Sequence, residues 1–188
     1  VFENIGVFDF SFYFMKRTYT SSDAERFNYK RALTNSRKDW LDKFGGIKLF
    51  RDNFRVRPYG EIKDSSFDWL GLGARKSSSP AGIAKVDGGW RVEPENVSGA
   101  IKISRLTNLN FEDKSSREGL QENKTFLVFK EILTKLIKIL EDDRAYIARA
   151  MDKYYGEKHA DRINKEQAEK LARSILERNR KRKEQEQK

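Results

Sequence analysis

The residues of this chain with the most chemical potential run from Asn110 to Asn123, reading Asn110-Phe111-Glu112-Asp113-Lys114-Ser115-Ser116-Arg117-Glu118-Gly119-Leu120-Gln121-Glu122-Asn123. Lys114 comes first among them. Its ammonium is a compact charge on a flexible stem, suited to meeting a terminal phosphate and the charge that develops on it. The plainer alternative is a solvated lysine beside Glu112 and Asp113. Arg117 and Glu118 can contact phosphate or lock the loop as an ion pair, and Asn123 reads as a helix cap. Lys48, Arg55 and Arg57 alternate with apolar residues around a turn. They offer a basic strip to nucleic acid or to a neighbouring domain, or simply a solvated sheet face. Arg180 and Arg182, within the run Arg178 to Lys183, can bind nucleic acid by counterion release, though flanking glutamates dilute them.

Composition closes off other chemistry. The chain has 188 residues, no cysteine and one histidine, His159. Thiolate metal sites and disulfides are excluded, and no metal centre is expected. Gly71-Leu72-Gly73 lacks the third glycine and the Lys-Ser/Thr of a phosphate-binding loop. A net charge of +10 favours an anionic partner: DNA or RNA, phosphate groups or acidic protein. No apolar run approaches the ~18 residues of a membrane span, so a cytoplasmic protein is expected. A start at Val1 rather than Met fits a fragment.

The elements that must position these residues follow from periodicity. Phe8, Phe10, Phe12 and Phe14 alternate with polar neighbours across 5–19, the pattern of a half-buried strand, here expected to anchor the sheet. Ser22 with Asp23 and Glu25 starts a short surface helix. A second helix over 36–44 carries Trp40, Leu41 and Phe44 on one side, and Gly45-Gly46 ends it. A hairpin comes next, turning at Arg51-Asp52-Asn53, with Pro58 stopping its second arm. In the middle, Asp68 to Leu72 suggests a helical turn with Trp69 and Leu70 inward. Asp68 serves as its cap, Lys76 to Pro80 as a surface loop, Asp87-Gly88-Gly89 as a turn and Trp90-Arg91-Val92 as a short strand. A last strand over 97–106 places Val97, Ile101 and Ile103 on one face. Phe126, Phe129, Leu133, Leu136, Leu140, Ile147, Met151 and Tyr154 then recur at helical spacing, with Gly156 ending the run. Ala168 to Leu176 suggests one more amphipathic helix, and the polar tail after it is expected to fray.

Three phrases carry a resemblance: GGIKLFRDNFRVRPYG at 45–60, DWLGL at 68–72 and SREGLQEN at 116–123. Together with the order strand, loop, lysine, helix, they resemble the transducer domain of a bacterial GHKL-type ATPase, the group of gyrase B, MutL and MORC proteins. The resemblance implies an α+β fold: a small mixed sheet with helices packed on one side, a left-handed βαβ crossover and a C-terminal helical extension. The transducer-like domain would cover 1–156, and a charged helical tail or linker 157–188. Lys114 would be the sensor of the γ-phosphate of ATP. ATP and Mg would be held by an upstream ATP-binding domain, because the family's Asn-bearing helix, Asp-x-Gly-x-Gly turn and glycine-rich lid are missing from this chain. Alone, it is not expected to bind or hydrolyse ATP. A homodimer is a further possible partner state, and a non-enzymatic basic nucleic-acid-binding domain is the alternative.

Overall fold

The computed structural model describes residues 4–17, 21–27, 35–79, 82–85, 89–116 and 118–186. Its centre is a mixed four-stranded sheet: β1 (Asp9–Phe14), β2 (Gly46–Arg51), β3 (Phe54–Val56) and β4 (Val97–Ile103), in the order β1-β4-β2-β3. β4 lies between an antiparallel β1 and a parallel β2, while β2 and β3 form the hairpin. The helices are α1 (Ser21–Phe27), α2 (Asn35–Phe44), α3 (Leu72–Ser78), α4 (Lys124–Lys158) and α5 (Ala160–Glu186). The fold is thus α+β with a C-terminal helical extension.

Sequence dictates the hairpin closely. Asp52 and Asn53 hold φ of 49° and 69°, the left-handed pair that a two-residue turn between twisted strands requires and that Asx residues tolerate best. The turn is one residue shorter than expected, because Arg51 completes β2 and pairs with Phe54. Gly46 takes φ 83° where α2 hands over to β2, and a side chain there would meet the ring of Phe67. Gly99 lets β1 approach β4, since a Cβ would lie 2.7 Å from the Ser11 carbonyl.

One face of the sheet is the core. Ile47 and Leu49 of β2 and Val97, Ile101 and Ile103 of β4 are buried against Phe126, Phe129, Leu133 and Ile137 of α4. Phe10, Phe12 and Phe14 share that face in register, opposite Ile101, Gly99 and Val97. They are only partly buried, however, and β1 is an edge strand. The expectation that it anchors the sheet is corrected. β4 and β2, shielded on both sides by neighbours, hold the centre. Tyr59, Trp69, Phe111, Phe126 and Phe129 form a linked aromatic cluster above them. Each fully buried ring of this size contributes about 1.5–3 kcal/mol of apolar burial.

Other expectations are also revised. Of the α2 trio only Leu41 is buried; Trp40 and Phe44 are surface residues. Residues 72–78 form α3 where Lys76 to Pro80 reads as loop, because both Asp68 carboxylate oxygens accept its first N–H groups, from Leu72 at 2.8 Å and Gly73 at 2.7 Å. Trp90-Arg91-Val92 is not a strand; its Val92 N–H is taken by a side chain instead. Asp87 and Gly88, two of the three residues of the expected turn, lie outside the described residues. Gly156 does not end α4, which runs on to Lys158, and α5 continues through Glu186 where fraying was expected. A helix tolerates one glycine at a cost of about 1 kcal/mol, which good helix formers on both sides offset.

The chain divides into two compact units, Val1–Arg149 and Ala150–Lys188. In the second, every described α5 side chain from Asp161 to Arg182 is exposed except Ile163, which is half-buried. No helix among the described residues is long and apolar enough to cross a membrane.

Candidate functional site

The stretch from β4 to α4 is irregular yet pinned at four places. Immediately after Ile103, the Asn108 side chain makes the first anchor. Its Oδ1 accepts the Ser104 N–H at 2.7 Å, and its Nδ2 donates to the Ile5 and Val7 carbonyls. Asn108 is 2% exposed; its bond to the Ile5 carbonyl is buried, and those to Ser104 and Val7 are part-buried.

Arg51 makes the second. Its guanidinium donates to the Asp113 carboxylate at 2.6 Å and to the Phe111 carbonyl at 2.6 Å. Arg105 stands 3.5 Å from the other Asp113 oxygen, and its N–H reaches Asp52. Asp52 is held below the usual carboxylate range, first by a hydrogen bond from Ser104 and then by the Arg105 amide and nearby arginines.

Tyr59 is the third anchor. Its hydroxyl accepts the Leu120 N–H at 2.9 Å and donates to the Leu120 carbonyl at 3.3 Å. Burial pushes its ionisation up, partly offset by the Leu120 bond. At the far end Asn123 caps α4 as its residue type suggests: Oδ1 accepts the Phe126 N–H at 2.9 Å while Nδ2 ties back to the Asn110 carbonyl.

Between these anchors lies a small closed turn. Asp113 and Leu120 form an antiparallel bridge, and the Lys114 N–H donates to the Gly119 carbonyl at 3.0 Å. Lys114 and Glu118 are exposed on it. Lys114 therefore sits on a fixed base with its side chain in solvent. Arg117 lies outside the described residues, so the Arg117–Glu118 lock has no geometry to report; Glu118 lines an open groove of about 1290 Å³ beside the hairpin.

Of the other basic candidates, Lys48 and Arg55 are engaged within the chain. Lys48 Nζ donates to the Phe44 and Gly45 carbonyls, both at 2.7 Å, closing the C-terminal end of α2. Partial burial, with the nearby Arg55 charge, lowers its affinity for a proton. Arg55 lies 2.8 Å from Glu61, and Arg57 is exposed, 3.9 Å from the same carboxylate. Arg180 and Arg182 are exposed on α5. The hairpin arginines Arg55 and Arg57 line the same open groove as Glu118; Lys114 is not among its described lining residues.

Sequence reading missed Arg51, Tyr59 and Asn108 as anchors, and Glu141. Arg51 carried a usable signal: it stands in period-two register with Ile47 and Leu49, hence on the core face. Glu141 is fully buried on α4, accepting Arg75 Nη2 at 2.7 Å and the Val92 N–H at 3.0 Å, with Arg91 at 3.7 Å. No group of three or more histidine, cysteine or carboxylate side chains that could hold a metal ion occurs among the described residues.

No protein-family model matches this chain, and neither a curated protein nor a solved structure does.

Proposed function

We propose that this chain is the transducer portion of a cytoplasmic GHKL-type ATPase. It senses the γ-phosphate of ATP through Lys114 and relays nucleotide state to α4. The observation that carries this reading is the contrast within the β4–α4 connection. Its backbone is anchored by Asn108, Arg51, Tyr59 and Asn123, while the Lys114 side chain is exposed on the turn they hold. A cation on a rigid base is preorganised for charge that appears in a neighbouring module, so little reorganisation opposes the contact.

ATP and Mg would reside in that module, and this chain contributes one ammonium to the triphosphate. The connection runs directly into the first turn of α4, with Asn123 bonded to both. A pull on the Lys114 turn therefore acts on the start of a 35-residue helix. ATP and ADP states differ by the one contact that only the γ-phosphate offers, which is the differential binding any such switch requires. The alternative reading is nucleic-acid binding by the hairpin and the basic tail; the commitment of Lys48 and Arg55 to partners within the chain weakens its hairpin part.

The test is Lys114→Ala in the complete ATPase. Turnover should fall about 10²–10³-fold, as when one preorganised charge donor is lost, with nucleotide affinity nearly unchanged. Unaltered turnover would overturn the assignment.

A further inference from the structure

The sheet ends in two edges, and they are finished differently. β3, at one edge, is three residues long, carries Arg55 and is followed at once by Arg57 and Pro58. Shortness, charge and proline are the usual means of keeping an edge from pairing with another strand. β1, at the other edge, has none of them. Its six residues, DFSFYF, contain no proline, glycine, lysine or arginine, and its register against β4 runs unbroken from Asp9↔Lys102 to Phe14↔Val97.

The ladder fixes which backbone groups are left over. The Met15 N–H donates to the Asn96 carbonyl at 2.8 Å, one step beyond the Phe14–Val97 pair. Antiparallel bonds recur at every second residue, so Asp9, Ser11 and Tyr13 bond inward to β4 while Phe10, Phe12 and Phe14 turn their N–H and C=O groups outward. No described residue takes up those outward groups. The rings of the same three residues are only partly buried, so an apolar rim runs beside the free amides. Tyr13, on the opposite face, is 57% exposed.

The strand is its own complement. About Phe12, Phe10 mirrors Phe14 and Ser11 mirrors Tyr13. Two copies laid antiparallel across a two-fold axis oppose Phe12 to Phe12 and Phe10 to Phe14 on the core face, and Ser11 to Tyr13 on the other. The phenylalanine pairs are those whose backbone groups face the partner, so each closes two hydrogen bonds. Aromatic pairs are favourable across strands. The one charge of the strand, Asp9, falls opposite Met15 rather than opposite another carboxylate. A two-fold contact joins a patch to itself and closes, which suits such a sequence.

We propose that two copies of this chain pair through β1, joining their four-stranded sheets into one continuous sheet. The blunted β3 edges stay at its two ends, so growth stops at the dimer. The contact lies apart from the Lys114 turn and does not depend on the phosphate-sensing reading.

The test is sedimentation velocity on the whole chain across a concentration series, with a shift from monomer to dimer expected and nothing larger. Ser11→Lys combined with Tyr13→Lys sets like charges directly opposite each other across the two-fold and should weaken the dimer roughly tenfold. Ser11→Lys combined with Tyr13→Glu sets opposite charges there and should restore it, in this register alone. Both positions are exposed and face away from the core, and circular dichroism checks that the variants stay folded. Arg57→Ala, at the far edge, is the control and should change association by less than about twofold. Any of four results overturns the proposal. They are a monomer at every concentration, which would leave the edge to a strand of another protein; species growing beyond a dimer; a dimer indifferent to the paired lysine substitutions; and no restoration by the lysine–glutamate combination.

Discussion

Two ion pairs fasten the first unit, and they are built inside out relative to each other. At Glu141 the carboxylate is fully buried, while its arginines, Arg75 and Arg91, are 22% and 19% exposed. At Asp113 the arginine is the hidden partner: Arg51 is 7% exposed and the carboxylate 48%. The first joins α3 and the segment around Val92 to the middle of α4. The second joins the end of β2 to the Lys114 turn. A pair is only as tolerant as its less exposed member, because the stranded charge determines what a deletion costs. The Glu141 site is therefore a structural rivet, whereas the Asp113 site leaves its turn one solvated, adjustable group.

The largest effect should come from stranding the deepest charge. Arg75→Ala leaves Glu141 buried with only the Val92 N–H and a distant Arg91, and should destabilise by about 3–5 kcal/mol in urea unfolding. Glu141→Gln should cost clearly less, since the released arginines can reach water and an amide oxygen can still accept. If the glutamine variant proves the worse, the contrast fails.

Arg51 and Asp113 come next. Asp113→Ala leaves Arg51 with the Phe111 carbonyl and should cost about 1.5–3 kcal/mol, the worth of one charge-assisted hydrogen bond. The readout that separates the sites is hydrogen exchange. Asp113→Ala should speed exchange at the Lys114 and Leu120 amides and leave α4 protected, while Arg75→Ala should expose α4.

Tyr59→Phe isolates the neighbouring anchor. It leaves the buried Leu120 N–H without its acceptor, a loss of about 1–3 kcal/mol. Because the folded state holds the phenol's proton above the usual 10.0, the wild type's stability is intact below that value and falls as pH rises through the folded one. The phenylalanine variant should show a flatter alkaline limb in thermal melts; an unchanged limb would deny the burial its role.

Asp52 should give the smallest effect. Its depressed pKa means stability present above the unfolded value of 3.8 and lost as pH falls through the folded one. Asp52→Asn should therefore soften the acid limb slightly and leave melting at pH 7 nearly unchanged.

The first and last strands, the hairpin and the cap at Asn123 were legible because each rests on local chemistry: alternation, Asx residues that accept positive φ, a side-chain oxygen three residues ahead of an N–H. What escaped was set by distant partners. The stripe of α4 expected from apolar spacing included Leu136 and Ile147, which are exposed; the buried face instead runs Phe126, Phe129, Leu133, Ile137, Glu141, Ala145 and Ala148. A glutamate in that series is invisible to hydrophobic periodicity, since only Arg75 and Val92, far away in sequence, make its burial possible. Likewise α3 is set by two carboxylate oxygens, not by composition. At the candidate site, Lys114 stands out from residue type and spacing, but the firmness of its turn depends on Arg51 and Tyr59, some sixty residues earlier.

Trp69 donates its indole N–H to the Ile47 carbonyl at 2.8 Å and stacks on Phe126 at a 19° interplanar angle, so it touches β2 and α4 at once. Trp40, by contrast, is substantially exposed. The molecule thereby carries its own optical gauge. Blue-shifted emission from Trp69 should track the seam between sheet and long helix, while quenching by iodide should act first on Trp40 and less on the half-buried Trp90, letting a single cuvette separate loosening of the interior from events at the surface.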